Sequence, residues 1–378
     1  MISKDICITT WYGTENYGSN LQAMALRIVL SNLGYNPSFL GRFRVRTYVL
    51  RHPVLAYSRI VNKFNGKRYK QFFNPSTYEL SQERKKRLEA FKAENFRVTS
   101  FYTESEWKKA IGERMIFMAG SDIIWNPARG YPMHSFLDFA YCAKLPRFSY
   151  ATSIGAKELP KQYYRAYKRY LGSMVEVGVR EQSTVDMLEP IVGRKITKVV
   201  DPTLLLTEKE WDAVAEKAEL SVKLPESGYI LCYFVMDDPR YWSYMRLVKE
   251  MTGLEVVVLP MHSQDENQGY ITVLDGTPYE FVRLIKNAEI IVTDSFHACV
   301  FSLIYNKEFY LMRRKRKAED AKYDDFLNRY HLQKRQILDE TKFQRDCDID
   351  YAESQKILQI DRQNSMEFLK TALEECNA

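Results

Sequence analysis

Of the five histidines in the chain, His297 stands at the most telling place, in the stretch EIIVTDSFHACVFSLIYN. Imidazole takes up and releases a proton near neutral pH, so it suits general acid–base work. Glu289 to Thr293 is short and β-branched, as a buried parallel strand would be. Asp294 and Ser295 suit a helix N-cap, and Cys299, Val300, Leu303 and Ile304 then recur at helical spacing. The pattern predicts His297 in the first turn of a helix, at the carboxyl end of a strand. Ligands of open α/β sheets bind at such ends, and helix-start N–H groups favour anions there. A histidine so placed also serves simply to pack or cap. Arg180, in VGVREQST, follows another strand-like run and offers a planar fork for a carboxylate or phosphate. Taken singly it equally suits a structural ion pair. Asp122, in GSDIIWNP, can orient or deprotonate a hydroxyl, or cap a helix.

The elements that must bring these groups together alternate along the chain. KDICITTWYG, RMIFMAG, RFSYATSIGA and MVEVGV read as strands, the last running through Val179 before a helix from about Ser183. TENYGSN reads as a loop before an amphipathic helix, LQAMALRIVLSNLG, stopped at Gly34. YILCYFVMDD, LEVVVLP, EIIVT and KEFYLMRR repeat the scheme after a linker with a helix near TEKEWDAVAEKAEL. Such alternation predicts an α/β protein of two Rossmann-like domains with parallel sheets. Four polar turns, ENYGSN, GSDIIWN, VREQS and TDSFH, each follow a buried strand. In doubly wound folds such turns converge on one edge, gathering Asn16, Asp122, Arg180, Ser295 and His297 into an expected anion-handling cleft.

A chain of 378 residues with 46% hydrophobic residues is long enough for two domains. The first residues carry no long apolar stretch, no later run reaches spanning length, and the six cysteines are scattered without a CxxC pair. A cytoplasmic location is the expectation, with neither a disulfide framework nor a zinc site. The net charge of +7 is uneven: residues 42–109 hold 17 Lys/Arg against 6 Asp/Glu, interleaved with Phe and Tyr. The stretch reads either as a solvated helical face or as a contact for an anionic membrane surface or a lipid diphosphate, and nucleic acid ranks last because no nucleic-acid-binding motif accompanies the charge. GxxxxGK[ST], GxGxxG after the first strand, HExxH and GxSxG are absent. The acidic DCDID at 346–350 has no strand before it and is not expected to hold a metal. His134 and His262, each after a Pro-Met pair, are expected in surface loops.

NYGSNLQAMAL, GSDIIWNP, FSYATSIGA, VGVREQST, DPTLLL and VTDSFHACVFSLIYNKEF, in this order, resemble the polysaccharide pyruvyl transferase family, from Thr10 to about Leu332. The resemblance implies a two-domain arrangement like that of GT-B glycosyltransferases, with the site in the cleft between domains. It implies transfer of an enolpyruvyl-derived unit from phosphoenolpyruvate to a sugar, as a ketal on two hydroxyls, with no cofactor. The acceptor would be a sugar of a surface polysaccharide, often still on a lipid diphosphate. By position, Arg180 matches an arginine used for phosphoenolpyruvate and His297 the catalytic histidine; Asp122 is the expected orienting group from its place on a converging turn, not from the resemblance. Asn16, Gly18, Ser153 and Ser295 are expected to contact substrate. Where better-studied members write Arg-Leu-His this chain has Ser295-Phe296-His297, so Arg313 or Arg314 is the expected replacement cation. The expected division is 1–206, the acceptor side, with a basic helical insertion at about 42–110; 207–345, the donor side; and 346–378, a helical tail. A nucleotide-sugar glycosyltransferase and a non-catalytic glycan-assembly binding protein are the alternatives.

Overall fold

A computed structural model describes residues 3–53, 79–127, 134–312, 321–337, 345 and 350–378. Short, fully buried apolar runs form the central strands, as parallel strands covered on both faces require. The first sheet holds β1 (Asp5–Thr9), β2 (Asn36–Phe43), β3 (Val98–Phe101), β4 (Ile116–Ala119), β5 (Arg147–Thr152), β6 (Val177–Val179) and β7 (Thr197–Lys198). The second holds β8 (Tyr229–Tyr233), β9 (Glu255–Val258), β10 (Ile271–Thr272), β11 (Ile290–Thr293), β12 (Glu308–Met312) and β13 (Gln336–Ile337). Their orders are β3-β2-β1-β4-β5-β6-β7 and β10-β9-β8-β11-β12-β13, with parallel pairing throughout. Each is a doubly wound, Rossmann-like sheet whose order reverses once, between β1 and β4 and between β8 and β11. The loops leaving those strands are therefore free to splay apart and form a crevice.

Two boundaries differ from the sequence reading. The helix expected after TENYGSN begins earlier, at Tyr17, and runs to Asn32, because the Asn16 side chain accepts from the Ser19 N–H and caps it. The stretch 42–110 is not simply a helical insertion. β3 lies within it, the helix Glu104–Gly112 begins in it, and β3 pairs with β2 as the sheet's edge. Residues 54–78 of that stretch lie outside the described ones.

The two sheets share one continuous buried core. Tyr17, from the first domain, sits 5.6 Å from both Tyr233 and Phe281 of the second, ring centre to ring centre. The helix Gln82–Asn95 clasps the second domain by charge: fully buried Arg84 donates to the Pro260 carbonyl at 2.8 Å and to the Tyr17 hydroxyl. Arg87 pairs with Asp275 and, at 2.7 Å, with buried Glu280.

The final helix, Tyr351–Asn377, starts against the second domain and ends on the first. Ser354 donates to the Tyr330 carbonyl at 2.6 Å, whereas Ser365 accepts from the Val200 N–H at 3.0 Å. Phe368 fills the space left by Gly178, where an added Cβ would come within 2.6 Å of its ring. Phe368→Ala is expected to destabilise the protein by about 3 kcal/mol, the usual cost of emptying an aromatic site in a core. Urea unfolding followed by circular dichroism measures this.

Candidate active site

The two helices that leave the switch points meet end to end. One is Tyr17–Asn32, capped by Asn16, whose Oδ1 accepts from the Ser19 N–H at 3.1 Å. The other is Phe296–Ile304, capped by Ser295, whose Oγ accepts from the Ala298 N–H at 3.4 Å. Asp294 does not cap. Its carboxylate accepts from the Val235 and Met236 N–H groups at 2.6 and 3.1 Å, tying the β8 and β11 loops together. His297 lies in the first turn of its helix, and its imidazole rests on Gly18. A Cβ added to Gly18 would lie 2.0 Å from His297 Nδ1 and 2.4 Å from Cγ. Only a glycine lets the two helix starts approach this closely.

Asp201 is the hub beneath that contact. Its Oδ2 receives a hydrogen bond from Arg180 Nη1 at 2.9 Å and lies 3.7 Å from His297 Nε2. The latter distance is an ion-pair separation, too long for a hydrogen bond, and Nε2 has no hydrogen-bond partner among the described residues although it is buried. Asp201 Oδ1 accepts from the Thr203 N–H and hydroxyl at 3.1 and 2.7 Å. Arg180 Nε donates to Glu181 Oε1 at 2.8 Å, and the same oxygen accepts from the Ser153 hydroxyl at 2.9 Å. Asp122 sits in a left-handed turn with φ of 77°, accepting from the Ser19 hydroxyl and the Ile123 N–H, each at 2.7 Å. Four turns remote in sequence are thus joined through Gly18, Asp122, Arg180 and His297.

The electrostatics follow from the burial. Burial alone would push the Asp201 carboxyl up, but His297, Arg180 and Thr203 outweigh it and hold it well below the usual carboxylate range. Burial likewise opposes ionisation of Asp122, and Arg180, Ser19 and His297 overcome it, so its pKa is lowered. Burial works against the Arg180 charge, yet Glu181, Asp201 and Asp122 bind its proton more tightly than usual. Its guanidinium is already paired twice, so the expected grip on a substrate carboxylate is left to Nη2, which has no hydrogen bond among the described residues. With one cation against the three carboxylates of Asp122, Glu181 and Asp201, this cluster is not by itself an anion cradle. The positive ends of the two helices oppose that surplus of negative charge. The Lys322 ammonium lies 5.7 Å from the centre of the Phe296 ring, which also carries the Arg180 guanidinium at 4.9 Å.

Beside Arg180 opens a cavity of about 350 Å³, walled by Arg180–Gln182, Lys198–Asp201, Phe296, the helix Ala321–Arg329 and the final helix. Of the expected substrate contacts, Gly18 touches His297, Ser153 holds Glu181, and Asn16 and Ser295 are engaged as caps. Arg313 and Arg314 lie outside the described residues. His262 is half-buried, with Nε2 3.1 Å from the Val235 carbonyl oxygen. No group of His, Cys, Asp and Glu among the described residues has a metal-holding arrangement. Asp350 caps the final helix, while 346–349 are not described. Sequence reasoning missed Asp201, Glu181, Ser19, Phe296 and Lys322. Asp201 carried the usable signal: it too stands on a polar turn just after a strand, in KVVDPTLLL.

The sequence model of one family, described as polysaccharide pyruvyl transferase, matches residues 16–316. No curated protein matches the sequence. Among solved structures, a putative UDP-N-acetylglucosamine 2-epimerase from Listeria monocytogenes is similar at 8% identity, covering 97% of this chain and 90% of that one, with a TM-score of 0.50. The UDP-GlcNAc 2-epimerase of Methanocaldococcus jannaschii is similar at 12% identity, covering 95% and 92%, with a TM-score of 0.49. The likeness is one of fold, the GT-B arrangement of two parallel-sheet domains.

Proposed function

Because the chain belongs to the polysaccharide pyruvyl transferase family, we propose that it uses phosphoenolpyruvate to build a pyruvate ketal on a sugar of a cell-surface polysaccharide or of its lipid-linked precursor. The observation that carries this reading is the buried His297 imidazole, set between two helix starts and beside the Asp201–Arg180 pair. Phosphoenolpyruvate places its phosphate against the helix starts, where N–H dipoles favour negative charge. Its carboxylate takes the remaining edge of Arg180. Protonated His297 gives its proton to the methylene carbon, which becomes a methyl group and leaves C2 cation-like. One sugar hydroxyl adds at C2 and gives up its proton to the now neutral His297 imidazole, directly or through solvent. A second hydroxyl displaces inorganic phosphate from C2, and its proton leaves with the phosphate or to solvent. Asp122, half-buried beside Ser19, is the group proposed to orient a hydroxyl.

The exposed side chains of Arg42, Arg44, Arg46 and Leu50 suit contact with a lipid diphosphate at a membrane surface. No helix among the described residues is long and apolar enough to cross a membrane.

Phosphate release from phosphoenolpyruvate, in the presence of a lipid-diphosphate-linked galactoside, tests the reading. His297→Ala is expected to cut the rate by about 100-fold or more, as loss of a positioned proton donor does. An unchanged rate, or a melting temperature raised by a nucleotide sugar and not by phosphoenolpyruvate, overturns it in favour of another chemistry.

A further inference from the structure

Tyr17, fully buried, is the first residue of the helix Tyr17–Asn32, and its neighbour is the Gly18 on which the His297 imidazole rests. Its side chain points into the second domain. The ring packs on Tyr233 and Phe281, and the hydroxyl donates to the Gly276 carbonyl at 3.0 Å. Gly276 leaves room for that approach: an added Cβ would lie 3.4 Å from the Tyr17 hydroxyl and 2.5 Å from a Leu259 methyl. Arg84, on the helix Gln82–Asn95, closes the arrangement. One terminal nitrogen of its guanidinium donates to the Tyr17 hydroxyl and the other to the Pro260 carbonyl at 2.8 Å. Burial pushes the Tyr17 hydroxyl up to about 12, so at neutral pH it keeps the proton it gives to Gly276 while accepting from Arg84.

The far side of this anchor is tied to His297. Tyr233 ends β8 and is in register with Thr293 of β11, whose hydroxyl donates to the Tyr233 carbonyl at 2.6 Å. His297 follows in the first turn of the next helix. The Tyr17 ring thus grips the strand pair that carries His297, while the Tyr17 backbone leads into the glycine beneath the imidazole. Taking a guanidinium out of water is costly, and well-packed apolar side chains often serve stability as well as buried charge does. What Arg84 adds is a planar fork that fixes the Tyr17 hydroxyl relative to Pro260.

We propose that Tyr17 and Arg84 are positioning residues: they pin the start of the helix Tyr17–Asn32 to the second domain and so hold His297 over Gly18 and beside Asp201. That His297 donates a proton rests on the transfer reading above; that the pin sets its place does not. Arg87, one turn along the helix from Arg84, pairs with Asp275 and Glu280 and supplies a clasp contact with other partners.

Three variants of the full chain provide the test: Tyr17→Phe, which removes one oxygen, Arg84→Met, and Arg87→Met as the comparison. With the five histidines isotopically labelled, the His297 Cε1–H NMR signal, assigned by its loss in His297→Ala, reports the place of the imidazole without any substrate. That signal is expected to move or broaden in Tyr17→Phe and Arg84→Met and to stay at its parent position in Arg87→Met. In the first two, kcat for phosphate release from phosphoenolpyruvate is expected to fall by about tenfold or more at an unchanged KM, the pattern of a misplaced proton donor. Arg87→Met is expected to lower the melting temperature and keep kcat. Tyr17→Phe decides the matter alone if Arg84→Met does not fold. The proposal is overturned if the Tyr17→Phe signal stays at its parent position, if an active parent loses no kcat on this substitution, or if Arg87→Met displaces the signal as far. A displaced signal in a protein whose parent releases no phosphate from phosphoenolpyruvate leaves the pin standing and removes pyruvyl transfer.

Discussion

Gly18→Ala is expected to lower turnover by about 100-fold or more, the cost of misplacing a catalytic group by about 1 Å, while the protein remains folded. The reason is local. Residue 18 lies in the first turn of the helix Tyr17–Asn32, where alanine is a better helix former than glycine by about 1 kcal/mol. The helix itself is therefore not harmed. The added methyl carbon, however, would lie 2.0 Å from His297 Nδ1 and 2.8 Å from Cε1. Either the imidazole swings away from Asp201 or the two helix starts part. Both outcomes remove the proton donor from its place. Circular dichroism and melting close to those of the parent, with phosphate release lost, is the expected pair of results. Parent-like turnover would show that His297 need not rest on the opposing helix.

Asp201→Asn is expected to destabilise the protein by about 3 kcal/mol at neutral pH. Removing one partner of a buried ion pair leaves the other charge without compensation, usually at a cost of about 3–5 kcal/mol. Arg180 keeps Glu181, which places the loss at the low end. The pH dependence has a definite sign. The Asp201 carboxyl is depressed in the folded state, so its contribution is fully present above the unfolded value of about 3.9 and disappears as pH falls toward the folded one. The gap between parent and variant should be widest at about pH 7 and narrow progressively below about pH 4. Urea unfolding of both proteins across that range measures it. A gap that stays constant into acid would mean that Asp201 acts through packing and not through its charge.

The same residues show how far a linear reading reaches. The strands around Ile116, Ile230 and Ile290 are legible because parallel strands buried on both faces need short apolar runs, and such runs announce themselves. Placing His297 in the first turn of a helix needed only Ser295 before it and an apolar periodicity after it. The early start of the helix at Tyr17 was obscured because Gly18 and Ser19 resemble loop residues; both are there for what they touch, His297 and Asp122. The stretch 42–110 read as an insertion because its charge masked the edge strand Val98–Phe101, and an edge strand need not be uniformly apolar.

What the sequence determined alone was the kind of protein: two doubly wound α/β domains, and the turns after their strands as the place where chemistry gathers. Local rules carry that much, since periodicity, caps and strand ends act over a few residues. Only the tertiary structure decided which charges meet. Asp201 became the hub because β6 and β7 set it beside Arg180 while the second domain lowers His297 toward it. Arg180 became a paired cation because two carboxylates reach it first. Coulomb forces act through space, between side chains 21 and 96 residues away from Asp201 along the chain, and no spacing in the sequence records that distance.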